Sequence, residues 1–178
     1  MKRKIIVEAV VLLAVSALLL FGVPRFLMER VIVDGPSMEI TLQDGDNILV
    51  EKVSRYFGDF ERFDVVVFYP DEETKENNGR YYVKRIIGLP GETVRIEGDV
   101  IFINDEPLTE KYGSSLMGAP GIAKEGVTLG EDEYFVLGDN RSISKDSRSE
   151  TVGVVPLSRI GGKMILRVFP FNKFGTTK

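Results

Sequence analysis

The sequence predicts a mainly β protein in which an N-terminal transmembrane helix precedes an all-β domain of packed antiparallel sheets. Residues 5–23 are apolar except for Glu8, Ser16 and Gly22. After this run, short β-branched and aromatic stretches alternate with turn signals, a spacing typical of β-barrels and packed sheets. Nothing repeats, and no long helical periodicity follows the apolar run. The 178 residues therefore suit one membrane segment and one domain.

The apolar run has the length of a single-pass membrane anchor. About 20 apolar residues, at ~1.5 Å each, cross the ~30 Å hydrocarbon core of a bilayer. Three basic residues precede the run, and the positive-inside rule holds such an end in the cytoplasm. We therefore expect residues 1–4 to be a cytoplasmic tail, residues 5–23 an anchor in the cell membrane, and residues 24–178 an extracellular domain.

A cleavable signal peptide is the alternative interpretation of this run. Its apolar region normally spans roughly 7–15 residues and ends at a small-x-small cleavage site. Here the run is longer, and Pro24, Arg25 and bulky residues follow it. The length favours an uncleaved anchor.

Eight strands are predicted in the body, each next to glycine, proline, asparagine or aspartate residues that mark turns. They span residues 30–33, 47–53, 63–69, 81–87, 93–97, 100–103, 133–137 and 164–168. Residues 111–124 are rich in glycine, serine and proline, so we expect a flexible surface loop there. Tyr56, Phe57 and Phe60 either rest on the bilayer surface or belong to the core, and we favour the core.

Composition excludes several classes of chemistry. The chain has no cysteine and no histidine. A disulfide framework, a thiolate nucleophile, a histidine-based triad and a histidine-ligated zinc are therefore excluded. Residues 24–178 carry 20 basic and 26 acidic side chains, a net charge of −6. This acidity argues against nucleic acid as a partner, and no acidic spacing suggests a metal site. We expect no cofactor.

One serine and one lysine are candidates for acyl-transfer chemistry. Without histidine or cysteine, a serine hydroxyl needs another base, and a buried lysine can supply a neutral amine. Ser37 follows a Gly-Pro turn that presents its hydroxyl, and Lys84 lies within the apolar strand 81–87. From the residues alone, Ser37 also suits an ordinary turn, and Lys84 also suits an exposed edge strand.

A third polar cluster follows the predicted strand 133–137. Two Asp-x-Arg pairs lie seven residues apart around a serine, a pattern that favours a hydrogen-bonded scaffold over a solvated loop. Its members are Asp139, Asn140, Arg141, Ser144, Asp146 and Arg148.

These segments together resemble one enzyme family. Residues 34–42 (DGPSMEITL), 62–66 (RFDVV), 82–91 (YVKRIIGLPG) and 137–148 (LGDNRSISKDSR) occur in the order seen in type I signal peptidases. The sequence is similar to the short, single-anchor form of Gram-positive bacteria. The resemblance covers most of residues 32–155 together with the N-terminal anchor.

The resemblance implies a membrane-bound serine endopeptidase, signal peptidase I, which removes N-terminal signal peptides from secreted precursors. Secretory precursors would be its substrates, and the lipid bilayer its other partner. Ser37 matches the family's nucleophile, Lys84 its general base, and Ser144 the hydroxyl that orients the lysine amine. The family's preference for small side chains at the −1 and −3 positions implies two shallow apolar pockets.

The other matched positions surround this dyad. Asp146 and Arg148 match the family's structural ion pair. The supporting turn of the family is matched by Asp139, Asn140 and Arg141. Met38 and Gly35 match positions at the substrate cleft.

The sequence departs from the family pattern at two positions. Ile40 stands where members usually have proline, and losing the fixed φ of proline could loosen the turn that presents Ser37. Gly35 stands where some members have a serine that donates into the oxyanion hole. The Ser37 backbone N–H would then hold the oxyanion.

Two rival functions are weighed against this interpretation. A self-cleaving repressor would share the Ser–Lys fold but needs a DNA-binding N-terminal domain, where this chain has its apolar run. A catalytically degenerate, membrane-tethered β domain that binds extended peptides is the other alternative. A processing assay separates the latter, because a binder protects a precursor and a peptidase cuts it.

Overall fold

The N-terminal segment is helical. The computed structural model describes residues 2–22, 26–58, 60–76, 79–113 and 116–177. Helix α1 (Lys2–Ala17) continues into a π-helical turn, Leu18–Gly22, and its apolar side chains are mostly exposed. Within those described ranges, no helix is both long enough and apolar enough to span a membrane. The anchor over residues 5–23 therefore stays a prediction, and its final residue lies outside the described residues, as do residues 24 and 25.

Beyond the helix, the body is built from antiparallel strands. In the described residues they are β1 (Met28–Ile32), β2 (Asn47–Glu51), β3 (Val65–Phe68), β4 (Tyr82–Gly88), β5 (Thr93–Glu97), β6 (Val100–Ile103), β7 (Glu106–Pro107), β8 (Val127–Thr128), β9 (Glu133–Leu137), β10 (Val155–Pro156) and β11 (Ile160–Phe169). Short helices α2 (Ser54–Phe57) and α3 (Glu72–Glu76) follow β2 and β3.

The strands form two sheets. The larger has seven strands in the order β1-β2-β11-β3-β4-β9-β10, and the smaller has four in the order β7-β6-β5-β8. All pairings are antiparallel, as the sequence predicted. Strand β4 lies inside the larger sheet, between β3 and β9. The centre of that sheet therefore carries the segment around Lys84.

The predicted strands all occur, and three of them have the predicted bounds: β5, β6 and β9. Strand β11 begins four residues before the predicted range. Its first residues were missed because Gly161 and Gly162 have low β propensity. These two glycines allow neighbouring residues to approach the backbone of β11 closely. A Cβ at Gly161 would lie 2.6 Å from the Tyr81 ring, and one at Gly162 would overlap the Glu51 carbonyl. The two-residue strands β7, β8 and β10 were not predicted.

Two expectations about burial are wrong. Residues 111–124 do not form only a surface loop, because Met117 and Ala123 are buried against the core of the smaller sheet; residues 114 and 115 lie outside the described residues. Phe60 belongs to the core as expected, but Tyr56 and Phe57 on α2 are 68% and 78% exposed. Apolar character alone does not show which face of a four-residue helix meets the core.

Candidate active site

Ser37 lies in a tight turn between β1 and β2. The turn is fixed by hydrogen bonds from Val33 N to Asp46 O (2.8 Å) and from Leu42 N to Met38 O (2.9 Å). Met38 and Leu42 are 1% and 0% exposed and belong to the core below the turn. Burial of these two side chains leaves the intervening backbone and Ser37 in a defined position. Met38 therefore supports the turn from below, and its place at the substrate cleft stays a prediction.

Gly35 lines a groove that lies over Ser37 and Lys84. Its φ of +85° is a backbone conformation that glycine adopts at low cost, and its N–H donates to Asp44 Oδ1 at 2.8 Å. Two further bonds tie this turn to the third polar cluster. Asn140 donates its backbone N–H to Ser37 O at 3.1 Å and its side-chain amide to Pro36 O at 3.3 Å.

The structure brings Lys84 to Ser37 across 47 residues of sequence. Lys84 Nζ donates to Ser37 Oγ at 2.7 Å and to Val83 O at 3.0 Å. Lys84 is 3% exposed on an interior strand, so the exposed edge-strand interpretation is wrong. Its neighbour on the same face, Tyr82, places its ring centroid 5.4 Å from Nζ.

Burial changes the titration of this amine. It lowers the pKa of Lys84 from 10.5 to about 8, and the negative charges of Asp146 and Asp139 oppose that shift. Neither carboxylate forms an ion pair with Nζ in the described part of the chain. A substantial fraction of Lys84 is therefore a neutral amine slightly above neutral pH.

Gly138 and Ser144 complete the immediate surroundings. A Cβ at Gly138 would overlap the Ser144 hydroxyl and the Ser37 carbonyl, so this position requires glycine for the approach of the two segments. Ser144 Oγ is buried and has no hydrogen-bond partner among the described residues. The hydrogen bond expected between this hydroxyl and the Lys84 amine is therefore not formed in this structure.

The expected ion pair between Asp146 and Arg148 is present and buried. Arg148 donates from Nε to Asp146 Oδ1 and from Nη2 to Oδ2, both at 2.8 Å. Asp146 Oδ2 also accepts the N–H of Gly138 at 3.1 Å. Arg148 also donates hydrogen bonds to the carbonyl oxygens of Met117 and Arg141. The pair thus holds the glycine beside the dyad and fastens the 116–124 segment to it.

Asp139 has a partner that sequence reasoning missed. Arg85 donates to its two carboxylate oxygens at 2.9 and 2.6 Å, and both side chains are fully buried. The Thr41 hydroxyl also donates to Asp139. The Arg85 guanidinium lies 3.7 Å from the Tyr112 ring centroid. The sequence did contain a signal for this buried pair, since Arg85 is a second cation, next to Lys84, in an apolar strand.

Arg141 forms a third arginine–carboxylate pair. It donates from Nη1 to Glu110 Oε1 at 2.5 Å and from Nη2 to Oε2 at 2.7 Å. Its Nε donates to Gly138 O at 3.0 Å. Sequence reasoning missed Glu110, which lies in an irregular segment with no recognisable pattern around it. In the part of the chain that the structure describes, no group of acidic residues is arranged to hold a metal ion.

A groove of about 380 Å³ lies over the dyad. One wall is the turn from Val33 to Ser37, and the other is the segment from Arg80 to Lys84. Strand β4 pairs with β3 from Tyr82, but its pairing with β9 begins only at Arg85. Within the described residues, β4 therefore has a strand partner on one side only from Tyr82 to Lys84. Asp34 and Arg80 form an exposed ion pair of 2.5 Å between the walls.

Comparison with known proteins identifies the family. The sequence model of "Signal peptidase, peptidase S26" matches residues 6–169. The chain belongs to this family. It is 39% identical to a signal peptidase I of Bacillus licheniformis, over 96% of this chain and 91% of the relative. It is 34% identical to a signal peptidase IB of Staphylococcus aureus, over 97% and 94%.

A solved signal peptidase I from Enterococcus faecalis is 34% identical and covers 58% of this chain and 95% of that chain, with a TM-score of 0.44. The resemblance to bacterial type I signal peptidases is confirmed by the family match and by the curated relatives. The repressor alternative is disfavoured, because the family match begins within α1.

Proposed function

We propose that this chain is a membrane-bound serine endopeptidase that removes N-terminal signal peptides from secreted precursors. The observation that carries the proposal is the 2.7 Å contact between Lys84 Nζ and Ser37 Oγ. A buried lysine beside a serine hydroxyl has the geometry needed to activate that hydroxyl as a nucleophile. Membership of the signal peptidase family supplies the class of substrate.

The reaction proceeds through an acyl-enzyme. The neutral Lys84 amine accepts the Ser37 proton while Oγ attacks the carbonyl carbon of the residue before the cleaved bond. The resulting lysine ammonium returns its proton to the departing amine, and the peptide bond breaks. Lys84 then removes a proton from water, whose oxygen attacks the acyl carbon. The bond between that carbon and Ser37 Oγ breaks, the new carboxyl group leaves with the cleaved segment, and Lys84 returns its proton to Ser37 Oγ. The Ser37 backbone N–H stabilises the oxyanion.

The substrate binds as an added strand. The free edge of β4 next to Lys84 supplies main-chain hydrogen-bonding groups, and the turn at Val33–Ser37 forms the opposite wall. Gly35 and Pro36 keep that wall shallow, which suits small side chains on the precursor.

The membrane anchor is part of this proposal. The apolar side chains of α1 and the following turn are exposed, and basic residues 2–4 precede them. A continuous helix from these segments would place residues 5–23 in the cell membrane, the N-terminus in the cytoplasm and residues 24–178 outside.

The test is cleavage of a secretory precursor by the full-length protein in liposomes. We expect Ser37→Ala and Lys84→Ala each to reduce cleavage by at least about a thousandfold. Ser142→Ala and Lys124→Ala are matched controls at exposed positions that should cleave normally. Circular dichroism establishes that each variant is folded.

Two results would contradict the mechanism. Cleavage that survives Lys84→Ala would remove lysine from the role of base. A folded wild-type protein that protects the precursor from added protease, without cutting it, would favour the peptide-binding domain instead.

A further inference from the structure

The groove over the dyad carries one positive charge that has no counter-charge. Four charged side chains line it: Asp34, Arg80, Lys84 and Lys145. Asp34 and Arg80 neutralise each other through their ion pair, and Lys84 is a neutral amine in the form that accepts the Ser37 proton. Lys145 is exposed, and among the described residues no carboxylate lies within ion-pair distance of it. In its reactive form the groove is therefore positively charged, although the whole chain has a net charge of −4.

The two faces of β4 offer different surroundings to a bound peptide. Successive side chains of a strand point to opposite faces. Val83 points to one face and is buried in an apolar cluster with Val33. Tyr82 and Lys84 point to the other face, where the Tyr82 ring centroid lies 5.4 Å from Lys84 Nζ. A peptide strand beside β4 therefore meets an apolar wall on one face and a more polar wall on the other.

The segment from Ile143 to Asp146 extends the polar wall. Ile143 and Lys145 line the groove together with Tyr82. In the same segment, the charge of Asp146 acts on the Lys84 amine, so the segment lies close to the face to which Lys84 points. Ile143 is 58% exposed and is therefore accessible to a ligand. We name the surface formed by Tyr82, Ile143 and Lys145 the cationic wall; it joins an aromatic ring, an aliphatic side chain and an unpaired ammonium group.

Strand alternation assigns one residue of the precursor to the cationic wall. The proposed function places the carbonyl of residue −1 at Ser37 Oγ, beside Lys84. The residues before the cut then lie along Val83 and Tyr82, because β9 occupies the positions that begin at Arg85. The small side chains expected at −1 and −3 share one face, the apolar one. The side chain at −2 therefore points to the other face, towards the cationic wall.

We propose that the cationic wall binds the side chain at position −2 of the precursor and favours an acidic residue there. The inference rests on the proposed function, because it takes the position of the cut from the dyad. A glutamate has the matching chemistry: its methylene groups contact Tyr82 and Ile143, and its carboxylate pairs with the Lys145 ammonium. Lys145 is thereby a specificity-determining residue that takes no part in breaking the peptide bond.

The test compares soluble peptides that differ only at −2, where they carry glutamate, glutamine or lysine. The full-length protein in detergent micelles cleaves them, and kcat/KM is measured for each. We expect the wild type to prefer glutamate to glutamine by about two- to fivefold, the range for an exposed charge pair, and to cleave the lysine peptide most slowly. About 1 M salt should largely remove the preference, because it screens exposed charges.

Two substitutions at Lys145 change the preference in different ways. Lys145→Gln should make the glutamate and glutamine peptides equal, and Lys145→Glu should favour the lysine peptide over the glutamate peptide. Each result is a ratio measured within one protein, so a variant that is partly unfolded still gives a valid ratio. Lys124→Gln removes the same charge from an exposed position outside this groove and should keep the wild-type ratio.

Two outcomes would overturn the inference while leaving the peptidase in place. One is equal cleavage of the glutamate and glutamine peptides by the wild type, and the other is a glutamate preference that persists in Lys145→Gln. Absence of cleavage for every peptide would instead contradict the proposed function, and this inference with it. Failure of the −2 site is therefore distinguishable from failure of the peptidase.

Discussion

The region around Ser37 and Lys84 contains three buried arginines and one buried lysine, and the two kinds of cation have different hydrogen-bond partners. Arg85, Arg141 and Arg148 each bind a carboxylate through two nitrogens. Among the residues that the structure describes, Lys84 donates only to the neutral oxygens of Ser37 and Val83. The bidentate carboxylate partners offset the desolvation of the arginines. For Lys84, the negative charges of Asp146 and Asp139 offset the desolvation only in part, and its pKa falls to about 8.

The arginines and the lysine therefore have different roles: the arginines hold the site together, and the lysine takes part in the reaction that we propose. The arginine pairs fix the positions of β4, the turn at 139–141 and the 116–124 segment around the dyad. Lysine is the residue whose charge state changes near neutral pH, which a proton acceptor requires. The same contrast yields predictions of decreasing size.

Breaking an arginine pair should have the largest effect on stability. Asp139→Ala leaves Arg85 buried without its carboxylate, and we expect a loss of about 3–5 kcal/mol in the free energy of unfolding. Urea unfolding in detergent measures this loss. Glu97→Ala breaks a mostly exposed pair with Arg95 and should cost less than about 1 kcal/mol. Equal costs for the two variants would remove the distinction between buried and exposed pairs.

Replacing Lys84 should increase the free energy of unfolding at neutral pH, whereas breaking an arginine pair decreases it. Its folded-state pKa is about 8, below the unfolded value of 10.5, so its charge disfavours folding fully below pH 8. That penalty disappears as the pH rises from 8 to 10.5. Lys84→Met should therefore be more stable than the wild type at pH 7 by up to roughly 3 kcal/mol. A gap that stayed constant up to pH 10 would contradict this account.

Adding a methyl group at Gly138 tests how closely the two segments approach. The new Cβ would lie 2.6 Å from Ser144 Cβ and would overlap the Ser37 carbonyl. We expect Gly138→Ala to lose about 1–3 kcal/mol of stability and to slow precursor cleavage. Gly130→Ala is the matched control, since the three atoms nearest to its new Cβ belong to the flexible Glu133 side chain. Similar losses in the two variants would show that the approach is not tight.

Removing the Ser144 hydroxyl should have the smallest effect on stability. Its Oγ is buried without a hydrogen-bond partner in the part of the chain that the structure describes, so Ser144→Ala should change the free energy of unfolding by less than about 1 kcal/mol. If the hydroxyl orients Lys84 during the reaction, kcat falls while stability does not. A stability loss of several kcal/mol would show that Oγ forms a bond absent from this structure.

Sequence reasoning found the residues that carry local signals. Ser37 follows a turn and Lys84 interrupts an apolar strand, so each is visible within a few neighbours. Arg85 and Glu110 were missed because their importance depends on partners 54 and 31 residues away. Local periodicity carries no information about such pairing.

For the fold, too, features with a local sequence signal were predicted and features that depend on distant contacts were not. The strands with correct bounds, β5, β6 and β9, are flanked by turn residues on both sides. The start of β11 was missed because Gly161 and Gly162 stand there, where other parts of the chain approach closely. The exposure of Tyr56 and Phe57 was also not predicted, since it depends on how α2 sits on the sheet.

Direct titration of the Lys84 amine is the measurement that tests the central contrast. The full-length protein, labelled with isotopes in lysine, is titrated by NMR in detergent micelles, and Lys84→Met assigns the signal. The account predicts a midpoint near pH 8. A midpoint near 10.5, the ordinary value for lysine, would show that Lys84 is charged at neutral pH and would contradict its role as the base.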